Sequence, residues 1–178
     1  MQSRNDERDE PDADAALEVR RGLDGDAEAI RSIYNAEVTG SRVTFDLVPR
    51  SVEDHWAWMA AHRGAYPVIV AVDGAGVVVG FASLSPYRPR PGYSTSVEDS
   101  VYVRADRRGL GAGRLLLASV VDMASAHGFH SVIGRIVADH EASIALHRSC
   151  DFELVGIEKE IGRKHGRWLS VAIMQRML

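Results

Sequence analysis

The sequence predicts a mixed α+β fold, in which one sheet carries helices on both faces. Three observations predict it: runs rich in β-branched residues alternate with amphipathic segments, the elements follow the order helices, meander, then β-α-β-α-β-β, and 178 residues suffice for a buried core. The chain is 46% hydrophobic and 26% charged, a balance typical of globular proteins and not of disordered or fibrous ones.

Four helices are predicted, each from an apolar stripe with a start or stop signal. Asp24 is expected to cap the first helix, and Ser51 opens a sequence resembling a capping box at the start of the second. The third helix runs from a glycine-rich turn to about Ala126, with Gly128 as its stop signal. The fourth is a short helix over residues 142–149.

Seven strands are predicted from short runs with β-branched residues or period-two alternation. The second and third are expected to form a hairpin, because Asp73-Gly74-Ala75-Gly76 lies between them. The predicted strands cover residues 17–20, 67–72, 77–85, 96–103, 131–137, 154–162 and 168–174.

Composition and charge limit the function classes. Residues 1–16 are predicted to be a disordered acidic tail, with an acidic interaction arm as the alternative, and residues 17–178 a single domain.

The single cysteine, Cys150, excludes an internal disulfide and favours a cytoplasmic setting. No apolar run reaches the roughly 18 residues of a membrane span, and the N-terminus is too polar for a secretory signal. A net charge of -4 offers no general attraction for nucleic acid. The expected partner is a small molecule or another protein.

The strongest single signal is the segment 101–114, VYVRADRRGLGAGR, in which a strand leads through a turn into a helix. Unpaired backbone N–H groups at a helix N-terminus point outward, and the helix dipole favours an anion there. Glycines allow the backbone to approach that anion closely. With Arg107, Arg108 and Arg114 adding positive charge, the segment predicts a diphosphate site; a simple tight turn is the alternative.

The pattern of this turn narrows the choice of diphosphate. A dinucleotide fingerprint would need glycine where Arg114 or Leu116 stands, and a nucleotide P-loop would need a lysine that is absent. Residues 108–113, Arg-Gly-Leu-Gly-Ala-Gly, instead resemble the acyl-coenzyme A pyrophosphate loop of the GNAT N-acetyltransferases. Further segments are similar to the phosphinothricin N-acetyltransferase branch of that superfamily: Thr44-Phe45, residues 96–103, residues 142–147 and Gly162-Arg163-Lys164-His165-Gly166-Arg167-Trp168.

This resemblance covers residues 17–178 and implies a GNAT fold with a central, mostly antiparallel twisted sheet. It implies an enzyme that transfers an acetyl group from acetyl-CoA to the α-amino group of phosphinothricin, methionine sulfoximine or methionine sulfone in a ternary complex. A homodimer and no metal are also expected. Two alternatives remain: an acetyltransferase for another amine, such as a polyamine or a protein N-terminus, and a non-catalytic CoA-binding sensor.

Two residues are candidates for proton transfer. Burial of Glu98 on an apolar strand would raise its pKa, and the resemblance implies that it is the catalytic base. An ion pair with a neighbouring arginine is the alternative. The resemblance also implies that His147 protonates the departing thiolate, for which an imidazole is suited near neutral pH. Packing against Phe152 is the alternative for His147.

The other implied roles concern binding. Arg88 and Arg90 lie in a proline-rich loop, and guanidinium groups suit the carboxylate of an amino-acid acceptor; two solvated arginines are the alternative. Phe45 is expected to line the side-chain pocket, with core packing as the alternative. His140 stands where the family usually has asparagine. The residues expected to bind acetyl-CoA are Val101, Tyr102, Val103, Arg108, Gly109, Leu110, Gly111, Ala112, Gly113, Arg114, His140 and Ser143.

Overall fold

The computed structural model describes residues 17–178, which form a seven-stranded sheet and four α-helices. The tail predicted over residues 1–16 lies outside this part of the chain. The strands are β1 (Glu18–Arg21), β2 (Val68–Val72), β3 (Val78–Pro86), β4 (Ser96–Val103), β5 (Ser131–Val137), β6 (Glu153–Lys164) and β7 (Arg167–Met177). The helices are α1 (Ala27–Gly40), α2 (Val52–Ala61), α3 (Ala112–Ala126) and α4 (Glu141–Arg148).

The sheet has the strand order β1-β2-β3-β4-β5-β7-β6, and its neighbours are antiparallel except for β4 and β5. These two strands pair in parallel only from Ser96 to Glu98. The rest of β4 stays paired with β3, so the edge of β4 that faces β5 is open from Asp99 to Val103. The sheet therefore splits at its centre.

Apolar clusters cover both faces of the sheet, which confirms the predicted mixed α+β fold with helices on both sides. On one face α3 buries Leu116, Leu117 and Val120 completely. On the other, α1 packs Ile30 and Val38 against the sheet. Truncating one of these side chains to alanine should cost about 2–5 kcal/mol of folding stability, since a cavity would replace packed atoms.

The helix starts agree with the sequence at one position and not at another. Ser51 caps α2 as predicted, because its Oγ accepts a hydrogen bond from the Asp54 N–H at 3.0 Å. The cap predicted at Asp24 is wrong: a 3-10 turn precedes α1. The Asp26 carboxylate instead accepts hydrogen bonds from the Leu23 N–H at 2.8 Å and from the Arg20 guanidinium at 2.6 and 2.9 Å.

The last two strands are longer than predicted, because only two residues turn the chain between them. His165 and Gly166 both adopt left-handed conformations, with φ of 47° and 74°, and these values suit a tight hairpin turn. β6 lies at the edge of the sheet, and within residues 17–178 it pairs with β7 alone.

Within residues 17–178, no helix combines the length and apolar character needed to cross a membrane.

Candidate active site

A cavity of about 830 Å³ lies where β4 and β5 separate. Six consecutive residues of β4, from Glu98 to Val103, line it. Since successive strand residues point to opposite faces, the cavity extends through the split in the sheet. We refer to its two parts as the α3 side, formed with α3 and α4, and the α1 side, formed with α1 and the α1–α2 loop (residues 41–51).

On the α3 side, the wall consists largely of the glycine-rich turn and the start of α3. Gly109 and Gly111 have φ of 81° and 87°, a left-handed conformation in which glycine avoids the steric cost of a side chain. No atom lies within 4 Å of the position that a Cβ would take at either residue. Gly111 is the N-cap of α3 and supplies no side-chain cap, so the first helical N–H groups remain available. The turn therefore meets the requirements of an anion site.

The arginines of this turn differ in their partners. The Arg108 guanidinium forms an ion pair with Glu37 of α1, and its Nε–H donates to the last carbonyl of β4 at 3.2 Å. Arg107 forms an ion pair with Asp73 at 3.4 Å. Arg114 is exposed and belongs to none of the ion pairs found in residues 17–178. The charges of Arg107 and Arg108 are thus already paired with carboxylates, which leaves Arg114 as the best-placed cation of this turn for a bound anion.

Glu98 is half-buried on β4, and its carboxylate enters no hydrogen bond or ion pair within the described part of the chain. Burial raises its pKa, the charge of Arg135 lowers it, and the charge of Asp99 raises it, with a net upward shift. Arg135 forms its ion pair with Glu158 instead, at 2.8 Å. The alternative of an arginine ion pair for Glu98 is therefore not formed in this structure, and the carboxylate is left facing the cavity.

His147 is buried, and hydrogen bonds engage both of its ring nitrogens. Its Nδ1–H donates to the Ser143 carbonyl at 2.8 Å, and Nε2 lies 3.1 Å from an Asp99 carboxylate oxygen. Burial lowers the pKa of His147, but the hydrogen bond and the charge of Asp99 outweigh it, so the net shift is upward. The ring also packs edge-to-face on Phe152, at 5.0 Å between centroids. His147 thus makes the contact that its alternative packing role requires, and its pKa is higher than that of an ordinary histidine.

Gly134 explains how this ring fits beneath the sheet. A Cβ at Gly134 would lie 2.8 Å from the Cδ2 atom of His147 and 3.3 Å from an oxygen of Asp99. The positions of both His147 and Asp99 therefore require a residue without a Cβ at 134. Nothing in the sequence around Gly134 distinguishes it from an ordinary strand glycine.

The α1 side is built from polar and aromatic side chains. The Tyr34 hydroxyl donates to Asp46 at 2.5 Å and lies 3.0 Å from the Thr44 hydroxyl. Tyr102 packs edge-to-face on Tyr34, with ring centroids 5.2 Å apart, and burial raises the pKa of both phenols. Phe45 follows Thr44 and lines the cavity while remaining 41% exposed.

His140 occupies the N-cap of α4, where its backbone carbonyl accepts hydrogen bonds from the N–H groups of Ser143 and Ile144 at 3.1 and 3.2 Å. Its half-buried ring lines the cavity. Burial lowers the pKa of His140, and the charge of Arg108 lowers it further. The ring is therefore neutral near pH 7 and offers one donor and one acceptor.

Most of the sequence-predicted site residues meet at this cavity, whereas three do not. Leu110 is exposed outside its wall, and Arg88 and Arg90 are exposed on the loop after β3, with the Arg88 guanidinium 5.0 Å from the Tyr87 ring centroid. Their binding roles stay predictions. The residues that line the cavity are Phe45, Glu98, Val101, Tyr102, Val103, Arg108, Gly109, Gly111, Ala112, Gly113, Arg114, His140, Ser143 and His147.

Sequence reasoning missed several residues of the wall. Tyr34 and Glu37 of α1, Arg135 of β5 and Ile161 of β6 all line the cavity. Each lies on a different part of the chain from the glycine turn, without a local motif. The strand register of the structure shows why Arg135 belongs to the site: Ile133 pairs with Glu98, and Arg135, two residues further along β5, lies on the same face of the sheet.

A metal site is not apparent in residues 17–178, where no three His, Cys, Asp or Glu side chains are placed to hold an ion together. The expectation that the chemistry needs no metal stays a prediction. Cys150 is 4% exposed and does not line the cavity.

Comparisons with known proteins, by sequence and by structure, all identify acetyltransferases as similar to this chain. The sequence profile of the Acetyltransferase (GNAT) family matches residues 28–152. An L-methionine sulfoximine/L-methionine sulfone acetyltransferase of Pseudomonas paraeruginosa is 40% identical over 151 residues, which cover 84% of this chain and 88% of that protein. The crystal structure of a GNAT superfamily phosphinothricin acetyltransferase from Sinorhizobium meliloti, in complex with AcCoA, has a TM-score of 0.87 and 39% identity, covering 91% and 88% of the two chains. A ribosomal-protein-alanine N-acetyltransferase from Brucella melitensis has a TM-score of 0.87 and 40% identity, covering 90% and 99%.

Proposed function

The chain belongs to the GNAT family of acetyltransferases, and from this premise we propose that it acetylates the α-amino group of an amino acid of the phosphinothricin or methionine sulfoximine type. One observation carries the proposal: a single cavity passes through the sheet, with an anion site on its α3 side and the half-buried Glu98 on β4. The names of the relatives from Pseudomonas and Sinorhizobium support the acceptor class.

The α3 side suits the coenzyme. The start of α3 can bind a diphosphate through the N–H groups that follow Gly111, and Arg114 adds charge beside it. The open edge of β4 presents backbone groups to which the two amides of a pantetheine arm can hydrogen bond. His140 and Ser143 lie on the same wall. Bound there, acetyl-CoA supplies the thioester carbonyl that the amine attacks.

Glu98 is the proposed base. An α-amino group is mostly protonated near neutral pH, so a proton must leave before the nitrogen can attack. Since burial raises the pKa of Glu98 and no ion pair within the described residues engages it, the carboxylate is a stronger base than an exposed glutamate. It also lines the cavity where an amine can approach.

His147 is the proposed acid for the departing thiolate. The sulfur needs a proton or a positive charge as the thioester breaks, and the hydrogen bond to Asp99 keeps His147 protonated at higher pH than an ordinary histidine. Packing on Phe152 and the bond to the Ser143 carbonyl hold the ring, so the proton given to the sulfur would be the one that Nε2 shares with Asp99.

The shape of the cavity supports the proposal of direct transfer in a ternary complex. Donor and acceptor can occupy its two sides at once, so no acyl-enzyme is needed. Cys150, the one cysteine, is buried away from the wall, which argues against a thiol nucleophile.

For the acceptor carboxylate, the proposed cation is Arg135, which lines the cavity on the same face as Glu98 and would exchange its ion pair with Glu158 for the acceptor. Arg88 and Arg90 lie outside the wall and stay predictions for the same role. A protein N-terminus is a second candidate acceptor, because the Brucella relative is named for one.

We also propose that the enzyme is a homodimer. The edge strand β6 exposes Leu154, Val155 and Ile157, three large apolar side chains beside an open backbone edge. Such an edge favours association with another chain.

Light scattering of the purified protein should give a molar mass twice that of one chain, and Ile157→Lys should lower this mass towards that of one chain. The cytoplasmic location and the absence of nucleic-acid and membrane partners stay predictions from composition.

A thiol-release assay with acetyl-CoA tests the proposed function. The panel contains methionine sulfoximine, methionine sulfone, phosphinothricin, the common amino acids, polyamines and a peptide with a free N-terminus. We expect turnover with the first three and intersecting initial-velocity lines, as a ternary complex requires. Turnover confined to polyamines or the peptide would replace the acceptor class, parallel lines would replace direct transfer, and CoA binding without turnover would indicate a sensor.

A further inference from the structure

The hairpin segment Gly162–Trp168 is the most distinctive part of the sequence resemblance, and the proposed chemistry does not use it. It joins β6 to β7 and lies beside the α1–α2 loop, which carries Phe45 into the cavity wall. Three contacts connect the hairpin and this loop: one through Gly162, one through Lys164 and one through His165.

Lys164 provides the most buried of these contacts. Its side chain is 3% exposed, and its ammonium group donates to the Thr44 carbonyl at 2.9 Å. It belongs to none of the ion pairs found in the described residues, although the charges of Asp46 and Glu37 partly offset the effect of burial on its pKa. A buried ammonium group bound to a neutral carbonyl fixes the backbone beside Phe45, because breaking the bond would leave a buried charge without a partner.

His165 adds a second connection from the turn of the hairpin. Its Nε2–H donates to the Ser41 carbonyl at 3.2 Å, near the start of the same loop. The loop is therefore attached to the hairpin through the carbonyls of Ser41 and Thr44, both of which precede Phe45.

Gly162 determines where the Phe45 ring can lie. A Cβ at Gly162 would be 2.1 Å from the Cε1 atom and 2.5 Å from the Cδ1 atom of that ring. The requirement for glycine here is one of space, since the φ of Gly162 is outside the left-handed region. The ring thus rests directly on the backbone of β6, next to Ile161, which also lines the cavity.

We propose that Gly162 and Lys164 are positioning residues that set the size of the acceptor pocket through Phe45, and so determine acceptor selectivity. This inference rests on the proposed acetyltransferase function. Any side chain at Gly162 pushes the ring off the strand and moves the wall on the α1 side. Because Phe45 is partly exposed, the ring can move without unfolding the chain. The α3 side, with the coenzyme site, stays unchanged.

The test compares Gly162→Ala with Gly156→Ala, a change on the same strand where no atom lies within 4 Å of the new Cβ. The ratio of kcat/KM for a large and a small acceptor, taken from those the wild type accepts, should change about tenfold in Gly162→Ala, the range expected when a pocket wall moves by a methylene or more. It should stay within twofold in Gly156→Ala. CoA affinity, measured by calorimetry, should be unchanged in both.

A double-mutant cycle separates positioning from general destabilisation. Phe45→Ala removes the ring, so Gly162→Ala should have little further effect on selectivity in that background. Lys164→Met, which removes the ammonium group but keeps the volume of the chain, should change selectivity in the same direction as Gly162→Ala. Full additivity of the Gly162 and Phe45 changes, or an unaltered selectivity in both Gly162→Ala and Lys164→Met, would overturn the inference.

The position of the Phe45 ring in a crystal structure of Gly162→Ala distinguishes this inference from the proposed function. A displaced ring together with turnover of other amines only would mean that the acceptor class is wrong and the positioning role is right. A ring in its original place would overturn the positioning role whatever the acceptor.

Discussion

The two sides of the cavity are built in different ways. The α3 side uses mainly backbone from one continuous segment: the glycine turn after β4 and the start of α3. The α1 side uses side chains from α1, the α1–α2 loop, β5 and β6, which lie far apart in the sequence. A site made of adjacent backbone groups leaves a local motif, whereas a site made of distant side chains depends on tertiary packing. A ligand on the first side would therefore contact mainly backbone groups, and a ligand on the second side mainly side chains.

Loss of the base should be the largest effect. Glu98→Gln keeps the volume of the side chain but cannot accept a proton from the amine, so kcat should fall about 10²–10⁴-fold, the usual contribution of a positioned base. CoA affinity should not change, because Glu98 takes no part in the α3 side. The two quantities are measured by thiol release and calorimetry. Near-normal turnover would remove Glu98 from the mechanism.

The pH dependence of the wild type sharpens this prediction. Because burial raises the pKa of Glu98, the acidic limb of kcat/KM should lie above the ordinary glutamate value of 4.5, with activity falling as pH decreases through the raised pKa. This limb should disappear in Glu98→Gln. An acidic limb unchanged in the variant would assign it to another group.

Asp99→Asn should have the next largest effect, on stability. Asp99 raises the pKa of His147, so the pair stabilises the fold below the unfolded histidine pKa of about 6.5 and loses this contribution as pH rises through the raised folded value. The variant should lose about 1–3 kcal/mol of unfolding free energy at pH 6, the value of a charged hydrogen bond. Urea unfolding at pH 6 to 9 measures the difference between the two proteins. A difference that grows with pH would contradict an imidazolium at His147.

Two glycines that flank α3 offer a matched comparison. Gly111 and Gly128 have φ of 87° and 81°, and neither has an atom within 4 Å of a Cβ position, but only Gly111 lines the cavity. Alanine at either position should cost about 1–2 kcal/mol of stability through its left-handed conformation. Gly111→Ala should in addition weaken CoA binding about tenfold, since the added methyl group and the strain both disturb the anion site. Equal CoA affinities in the two variants would exclude this site.

The smallest effect is expected for Arg114→Ala. As an exposed cation beside the start of α3, Arg114 should contribute about two- to fivefold to CoA affinity, and raising the salt concentration should reduce that contribution. Arg148→Ala, an exposed arginine of α4 outside the cavity wall, is the control. Calorimetry at low and high salt checks both. A salt-independent loss would mean that Arg114 acts through packing and not through its charge.

The parts predicted from sequence are those with a local cause. The glycine turn, the Ser51 cap and the hairpin at residues 73–76 each follow from neighbouring residues, and all appear in the structure. Asp151, three residues after the end of α4, adopts a left-handed conformation with φ of 62°. By contrast, the Asp24 cap is wrong because Asp24 begins a 3-10 turn before α1, and Arg20 of β1 binds the Asp26 carboxylate at the end of that turn.

The parts that escaped prediction depend on contacts between distant segments. The ion pair of Arg108 with Glu37, the pair of His147 with Asp99 and the contact of Phe45 with Gly162 have no local signature. Arg88 and Arg90 are exposed on the loop after β3 and do not line the cavity, so their predicted binding role remains a prediction. Proximity along the chain is a reliable guide to the α3 side and a poor one to the α1 side.

A crystal structure of the protein with CoA tests the division of the cavity most directly. We predict diphosphate oxygens within hydrogen-bonding distance of the N–H groups at residues 111–114, and the thiol at the split between β4 and β5, with Glu98 left open to the acceptor. A diphosphate bound on the α1 side, or outside the cavity, would contradict the account.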